Sequence, residues 1–109
     1  MKGLTEKERQ ALKELVEELK KLYDDNLSKV ILYGSKARGD ATEDSDIDVL
    51  VVLKNVKHLL REKKKIRDIG WEVCYKYDLL ISIIVKTEDE YLLCDTPLLM
   101  NVQKEGIFL

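Results

Sequence analysis

The sequence predicts an α/β (α+β) fold: a small mixed β-sheet of about three to four strands packed with helices. Three observations predict it. Two long segments place apolar residues at helical spacing, and three short runs are dense in β-branched and aliphatic residues. The two kinds of segment alternate as α-β-(short α)-β-α-β-α-α, the order of strands sandwiched by helices. The chain has 109 residues, so residues 1–109 are expected to form a single domain.

The first helix begins at Thr5-Glu6-Lys7-Glu8, which has the form of a capping box. Leu12, Leu15, Val16, Leu19, Leu22 and Tyr23 form its apolar stripe, and it should end near Asp25-Asn26. Residues 28–33, Ser-Lys-Val-Ile-Leu-Tyr, read as a buried strand that Gly34-Ser35 terminates. Lys36 to Gly39 should make a short helical turn. A second strand is expected from about Ser45 to Leu53. Asp46, Asp48, Leu50 and Val52 share one of its faces, and Ile47, Val49, Val51 and Leu53 the other.

Asn55 is placed to cap a second long helix. Its stripe is Leu59, Leu60, Ile66, Ile69, Val73 and Cys74, with Trp71 along its edge. Gly70 weakens that helix by roughly 1 kcal/mol relative to Ala unless a neighbour packs closely there. A third strand should run from Asp78 to Val85. Thr87-Glu88-Asp89-Glu90 repeats the capping box before a short helix, and Thr96-Pro97 opens the last one. Gly106 should close that helix, leaving Ile107-Phe108-Leu109 to dock as an apolar tail.

The composition narrows the function. Nineteen basic and 21 acidic side chains leave a net charge of −2, which argues against wrapping duplex nucleic acid by bulk charge. The run Arg61-Glu62-Lys63-Lys64-Lys65 with Arg67 reads as the solvated face of a helix rather than a nucleic-acid surface. No apolar run has membrane-spanning length. Two cysteines outside any Cys-x-x-Cys spacing and no leader-like start make a cytoplasmic protein with reduced thiols the expectation. With His58 as the only histidine, a zinc site of His and Cys is disfavoured. Tyr75, Tyr77 and Tyr91 read as packing at the edge of the sheet, and Asp40, Glu43 and Asp44 as an acidic spacer.

Chemistry concentrates between Gly34 and Asp48. A strand that ends in glycine and feeds a helical turn presents free backbone amides at a positive helix end, where anions bind. Gly34 lets a phosphate approach the main chain, and the Ser35 hydroxyl adds a hydrogen bond. Lys36 and Arg38 bring positive charge, Arg38 in a forked geometry. Asp46 and Asp48 stand on one strand face, close enough to hold Mg²⁺ or Mn²⁺ through hard oxygen ligands.

Together these residues resemble the DNA-polymerase-β-like nucleotidyltransferase superfamily, most closely its minimal nucleotidyltransferases, found in prokaryotes and often beside a HEPN-domain protein. The segments that carry the likeness are Val30-Ile31-Leu32-Tyr33-Gly34-Ser35 and Asp46-Ile47-Asp48-Val49-Leu50, with Arg38-Gly39 and Ser45 between them. The resemblance implies a nucleotidyltransferase fold in which Gly34 and Ser35 hold the triphosphate and Asp46 and Asp48 hold the metal ions. It implies transfer of a nucleoside monophosphate, AMP from ATP, to a hydroxyl of a macromolecular partner, as in an antitoxin acting on a HEPN toxin. The likeness is sharp over residues 30–53 and diffuse elsewhere.

Relatives usually carry a third carboxylate on a later strand, embedded among hydrophobic residues where Ser82 or Ile83 stands here. Asp78 is either that third catalytic and metal-binding acid or an acid that caps the strand. A missing third ligand would favour the alternative, a weakly active or inactive domain that binds nucleotide or neutralises a partner by contact. The base, the acceptor and any homo-oligomer are left open by the sequence.

Overall fold

The computed structural model describes residues 3–42 and 45–109. Its elements are α1 (Glu6–Tyr23), β1 (Leu27–Tyr33), α2 (Ser35–Arg38), β2 (Ile47–Leu53), α3 (Leu59–Tyr77), β3 (Ile81–Thr87), α4 (Glu88–Leu93), α5 (Pro97–Glu105) and β4 (Ile107–Phe108). The strands form one mixed sheet in the order β3-β2-β1-β4. β1 is antiparallel to β2 and to β4, while β2 and β3 are parallel. The apolar tail therefore does more than dock: Ile107 and Phe108 pair with Leu32 and Ile31 as a fourth strand.

Both faces of the sheet are covered. On one, Leu12, Leu15 and Leu19 of α1 and Ile66 and Val73 of α3 pack on Leu32, Val49 and Val51. On the other, Tyr91 of α4 and Leu99 and Val102 of α5 pack on Ile31, Leu50 and Val52. Burial on both faces accounts for the unbroken aliphatic run Val49–Leu53 in the inner strand β2. The face that begins with Asp48 is thus covered by helices from Leu50 onward.

The caps lie where the sequence placed them at three helix starts. Thr5 Oγ1 accepts from Glu8 N, and Glu8 Oε1 accepts from Thr5 N at 2.8 Å. Thr87 and Glu90 repeat this exchange, and Thr96 Oγ1 accepts from Leu99 N ahead of Pro97. Asn55 does not cap α3, which starts later, at Leu59. Its amide instead donates to Asn26 Oδ1.

Gly70 has the close neighbour that its place in a helix requires. A Cβ there would lie 2.7 Å from Ile83 Cδ1, so α3 seats on β3 at its glycine. That seating also explains two departures from expectation. Leu60 and Tyr75 are exposed, at 82% and 92%, rather than packed on the helix stripe or the sheet edge. At about 100° per residue, Tyr75 stands on the side of α3 opposite Ile66, and Leu60 well round from it.

A buried ion pair joins α1 to α2. Lys36 Nζ lies 2.9 Å from Glu8 Oε2, and the two side chains are only 6% and 7% exposed. One oxygen of Glu8 closes the capping box while the other holds Lys36. Burial pushes the Glu8 carboxyl up, but the Thr5 amide and the hydrogen bond and charge of Lys36 outweigh it, and the net shift is downward from 4.5. This pair therefore stabilises the fold above 4.5, and the contribution is lost as pH falls through the lowered value. Lys36→Met should cost about 3–5 kcal/mol at neutral pH, because it strands a buried carboxylate. Adding Glu8→Gln should recover most of that loss and flatten the acid-side decline. Urea denaturation across this pH range checks both outcomes.

Candidate active site

Strand β1 delivers Gly34 to the site with φ +77°, a left-handed conformation that favours glycine. α2 begins immediately after it. The amides of Ala37 and Arg38 donate to Gly34 O, and those of Gly39 and Asp40 to Ser35 O. The amides of Ser35 and Lys36 open the turn and so have no earlier carbonyl within it to bond. Gly34 and Ser35 thus leave two amides without an earlier carbonyl at the start of the turn, the positive end of its dipole.

The carboxylates meet this turn through strand register. β1 and β2 pair so that Tyr33 lies opposite Asp48. A Cβ on Gly34 would fall 2.5 Å from Asp48 Oδ2, so the carboxylate lies against the glycine backbone. Asp46 just precedes β2 and is exposed, while Asp48 is half-buried. Burial raises the Asp48 carboxyl above its usual range, the charge of Asp46 raises it further, and Arg38 pulls the other way. The Asp48 charge in turn adds to burial in raising the Tyr33 phenol. Two mutually repelling carboxylates beside a glycine turn are a donor set suited to a hard divalent cation, which would relieve their repulsion.

Arg38 stands close to this pair but has acid partners of its own. Its Nε donates to Asp40 Oδ2 at 3.1 Å, and one terminal nitrogen donates to Glu105 Oε1 at 3.0 Å. Glu105, at the end of α5, carried no signal in the sequence because its role depends on a contact across the fold. Of the acidic spacer, Glu43 and Asp44 lie outside the described residues.

Two residues are placed differently from expectation. Lys36 does not offer its ammonium to the turn's ligand side, because it is buried against Glu8. Asp78 is not on β3, which starts at Ile81. It is the C-cap of α3, exposed and left-handed at φ 53°, and the amide of Leu79 after it turns back to Cys74 O. Among the described residues no three His, Cys, Asp or Glu side chains gather as a cation site, so Asp78 does not complete the carboxylate pair. The β3 residue directly opposite Asp48 is Ser82, which is exposed.

The nucleotidyltransferase domain model matches residues 12–109. The chain belongs to the nucleotidyltransferase family. Among curated relatives of this nucleotidyltransferase are two proteins of Methanocaldococcus jannaschii, each named "putative protein adenylyltransferase". One is 45% identical over 68% of this chain and 74% of its own length. The other is 40% identical over 84% of this chain and 63% of its own. The crystal structure of a "putative nucleotidyltransferase" from Sulfolobus solfataricus aligns with a TM-score of 0.63 and 26% identity, covering 91% of this chain and 76% of that one. A toxin–antitoxin structure with AMP-PNP shares the fold at a TM-score of 0.55 and 18% identity, over 86% of this chain and 68% of that one. The resemblance carried by the Gly-Ser and Asp-x-Asp segments therefore holds. No helix among the described residues is long and apolar enough to cross a membrane.

Because burial and Asp46 both disfavour the ionised Asp48, its charge costs the fold stability at neutral pH. Asp48→Asn should therefore raise stability without divalent ions, by less than about 1 kcal/mol given partial solvent screening. Gly34→Ala should lower it by about 1–3 kcal/mol through the backbone alone, because φ 77° with ψ −157° is a region essentially confined to glycine, with more from the displaced carboxylate. Thermal denaturation in chelator-treated buffer checks both signs.

Proposed function

We propose that this nucleotidyltransferase is a Mg²⁺-dependent adenylyltransferase that moves AMP from ATP to a hydroxyl on a protein partner. The carrying observation is the Asp48 carboxylate set against the Gly34 backbone, which joins a place for phosphate to a place for a cation. The names of the Methanocaldococcus jannaschii relatives support the choice of AMP and of a protein acceptor. Asp46 and Asp48 would hold Mg²⁺ or Mn²⁺; such ions commonly bind through one or two carboxylates plus substrate phosphates and water. When bound, the ion supplies Lewis-acid neutralisation of charge at the phosphoryl group. Gly34 and the Ser35 amide and hydroxyl would orient the triphosphate, and Arg38 would add charge once released from Asp40 or Glu105. The acceptor oxygen bonds to the α-phosphorus, the bond to the β-phosphate oxygen breaks, pyrophosphate leaves, and the hydroxyl proton passes to water. Positioning and charge neutralisation are what the protein contributes.

The partner we propose is a cytoplasmic HEPN-domain protein, with this chain as its antitoxin; the motif resemblance supports this reading. Ser82 opposite Asp48 favours a second reading, in which a reduced metal set leaves a domain that binds nucleotide or neutralises its partner by contact. Incubation with α-labelled ATP and the protein encoded beside this chain separates the two. Under the first reading, label appears on that protein, chelation removes the signal, and Asp46→Asn or Asp48→Asn lowers it about a hundredfold or more. Undiminished transfer in the double variant would sink the assignment of these residues. Neutralisation that survives the double substitution would establish the second reading.

A further inference from the structure

An open groove lies away from the Gly-Ser turn. β3 is one of the two edge strands, and its outer side pairs with no other strand among the described residues. Between that edge and α3 runs a groove of about 850 Å³. Trp71 and Tyr75 of α3 and Leu80 ahead of β3 line it, at 68%, 92% and 65% exposure. Isolated exposed apolar residues are ordinary, but four large ones, Leu60 of α3 included, lining one groove beside an unpaired strand mark an interaction surface.

The groove's charge says what kind of partner fits. Lys63, Lys64, Arg67 and Lys86 line it, and no carboxylate does. This is an all-basic lining in a chain whose net charge is −2. Lys86 has Glu90 at 3.7 Å and Lys63 feels the same carboxylate, whereas Lys64 and Arg67 have no ion-pair partner among the described residues. An unpaired strand edge offers main-chain hydrogen bonds to an extended peptide, and apolar pockets beside it offer side-chain specificity. Nucleic acid could use the cations and aromatic rings, but it gains nothing from the strand edge or from the aliphatic walls formed by Ile83 and Leu79.

The position matters as well. β3 runs parallel to β2 with Ser82 level with Asp48, so the free edge leads to the carboxylate end of the sheet. Strands lie about 4.8 Å apart, which puts an added strand two spacings from β2, with only the small Ser82 side chain between. We infer that the β3 edge and the α3 groove dock an extended, acidic segment of a partner protein as a fifth strand, and that side chains of this added strand on the sheet face opposite the groove, the face of Ser82 and Asp48, present the acceptor. The inference rests on the transferase reading for its second half and is independent of that reading for the first.

Selection of a random peptide library, about ten residues long to match a strand, on the whole chain tests it. Trp71 is the sole tryptophan, so its emission reports on the groove directly. The expected result is enrichment of acidic sequences with alternating apolar residues, whose binding shifts Trp71 emission to the blue. Affinity should fall about tenfold or more with Lys64→Glu/Arg67→Glu, by loss of charge complementarity, and also with alternate amides N-methylated. Asp46→Asn/Asp48→Asn should bind these peptides as well as the unaltered chain does, so loss of transfer and loss of docking can be told apart. Enrichment without acidic residues, binding indifferent to the charge reversal, or displacement of the peptides by oligoadenylate RNA would each overturn the proposal.

Discussion

The candidate site depends on the register between β1 and β2. Tyr33 opposite Asp48 brings the glycine that ends one strand against the carboxylate that begins the next. Because side chains alternate with period two, a slip of one residue would turn Asp48 into the α1–α3 core and swing Val49 out to the turn. Burial on both faces of β2 prevents that slip: Val49 and Val51 are held by one helical layer, Leu50 and Val52 by the other. The hydrophobic core thus aligns the polar site, and the site needs no rigid polar network of its own.

The two helical layers divide the work. α1 and α3 form the larger core, and α1 also anchors α2 through the Glu8–Lys36 pair. α4 and α5 cover only the far part of the opposite face, which leaves Asp48 and Ser82 beyond their cover. Family membership and the arrangement agree: a small sheet sets Asp46 and Asp48 beside the turn that Gly34 and Ser35 open.

What the sequence revealed was local. Capping boxes at Thr5 and Thr87, the Pro97 start, the strand-ending Gly34 and the shared parity of Asp46 and Asp48 depend on neighbours within a few residues, and each was readable as such. Gly70 was legible as a position that needed a close partner, though not as one that would meet Ile83. The misread positions turn on long-range geometry. Lys36 looked like a phosphate ligand because its true partner, Glu8, lies 28 positions earlier. Asp78 looked like a strand residue because Leu79 and Leu80 continue the apolar run, yet α3 ends there in a left-handed turn that periodicity does not reveal. Periodicity puts Leu60 in the α3 stripe and Tyr75 at the sheet edge, and neither position shows which face α3 seats on β3.

The capture of Lys36 by Glu8 limits the reach of any attraction the turn would exert on an anion. A formal charge on the ligand side would act over a Debye length, about 8–10 Å at physiological ionic strength. With that ammonium neutralised in the interior, and Arg38 held by Asp40 and Glu105, an anion approaching the turn would meet chiefly backbone dipoles whose influence fades within a single helical turn. Recognition there becomes a matter of shape and direction at contact rather than of steering from a distance. A stray polyanion drifting past would feel little pull, while a group that fits against Gly34 would meet the full set of donors.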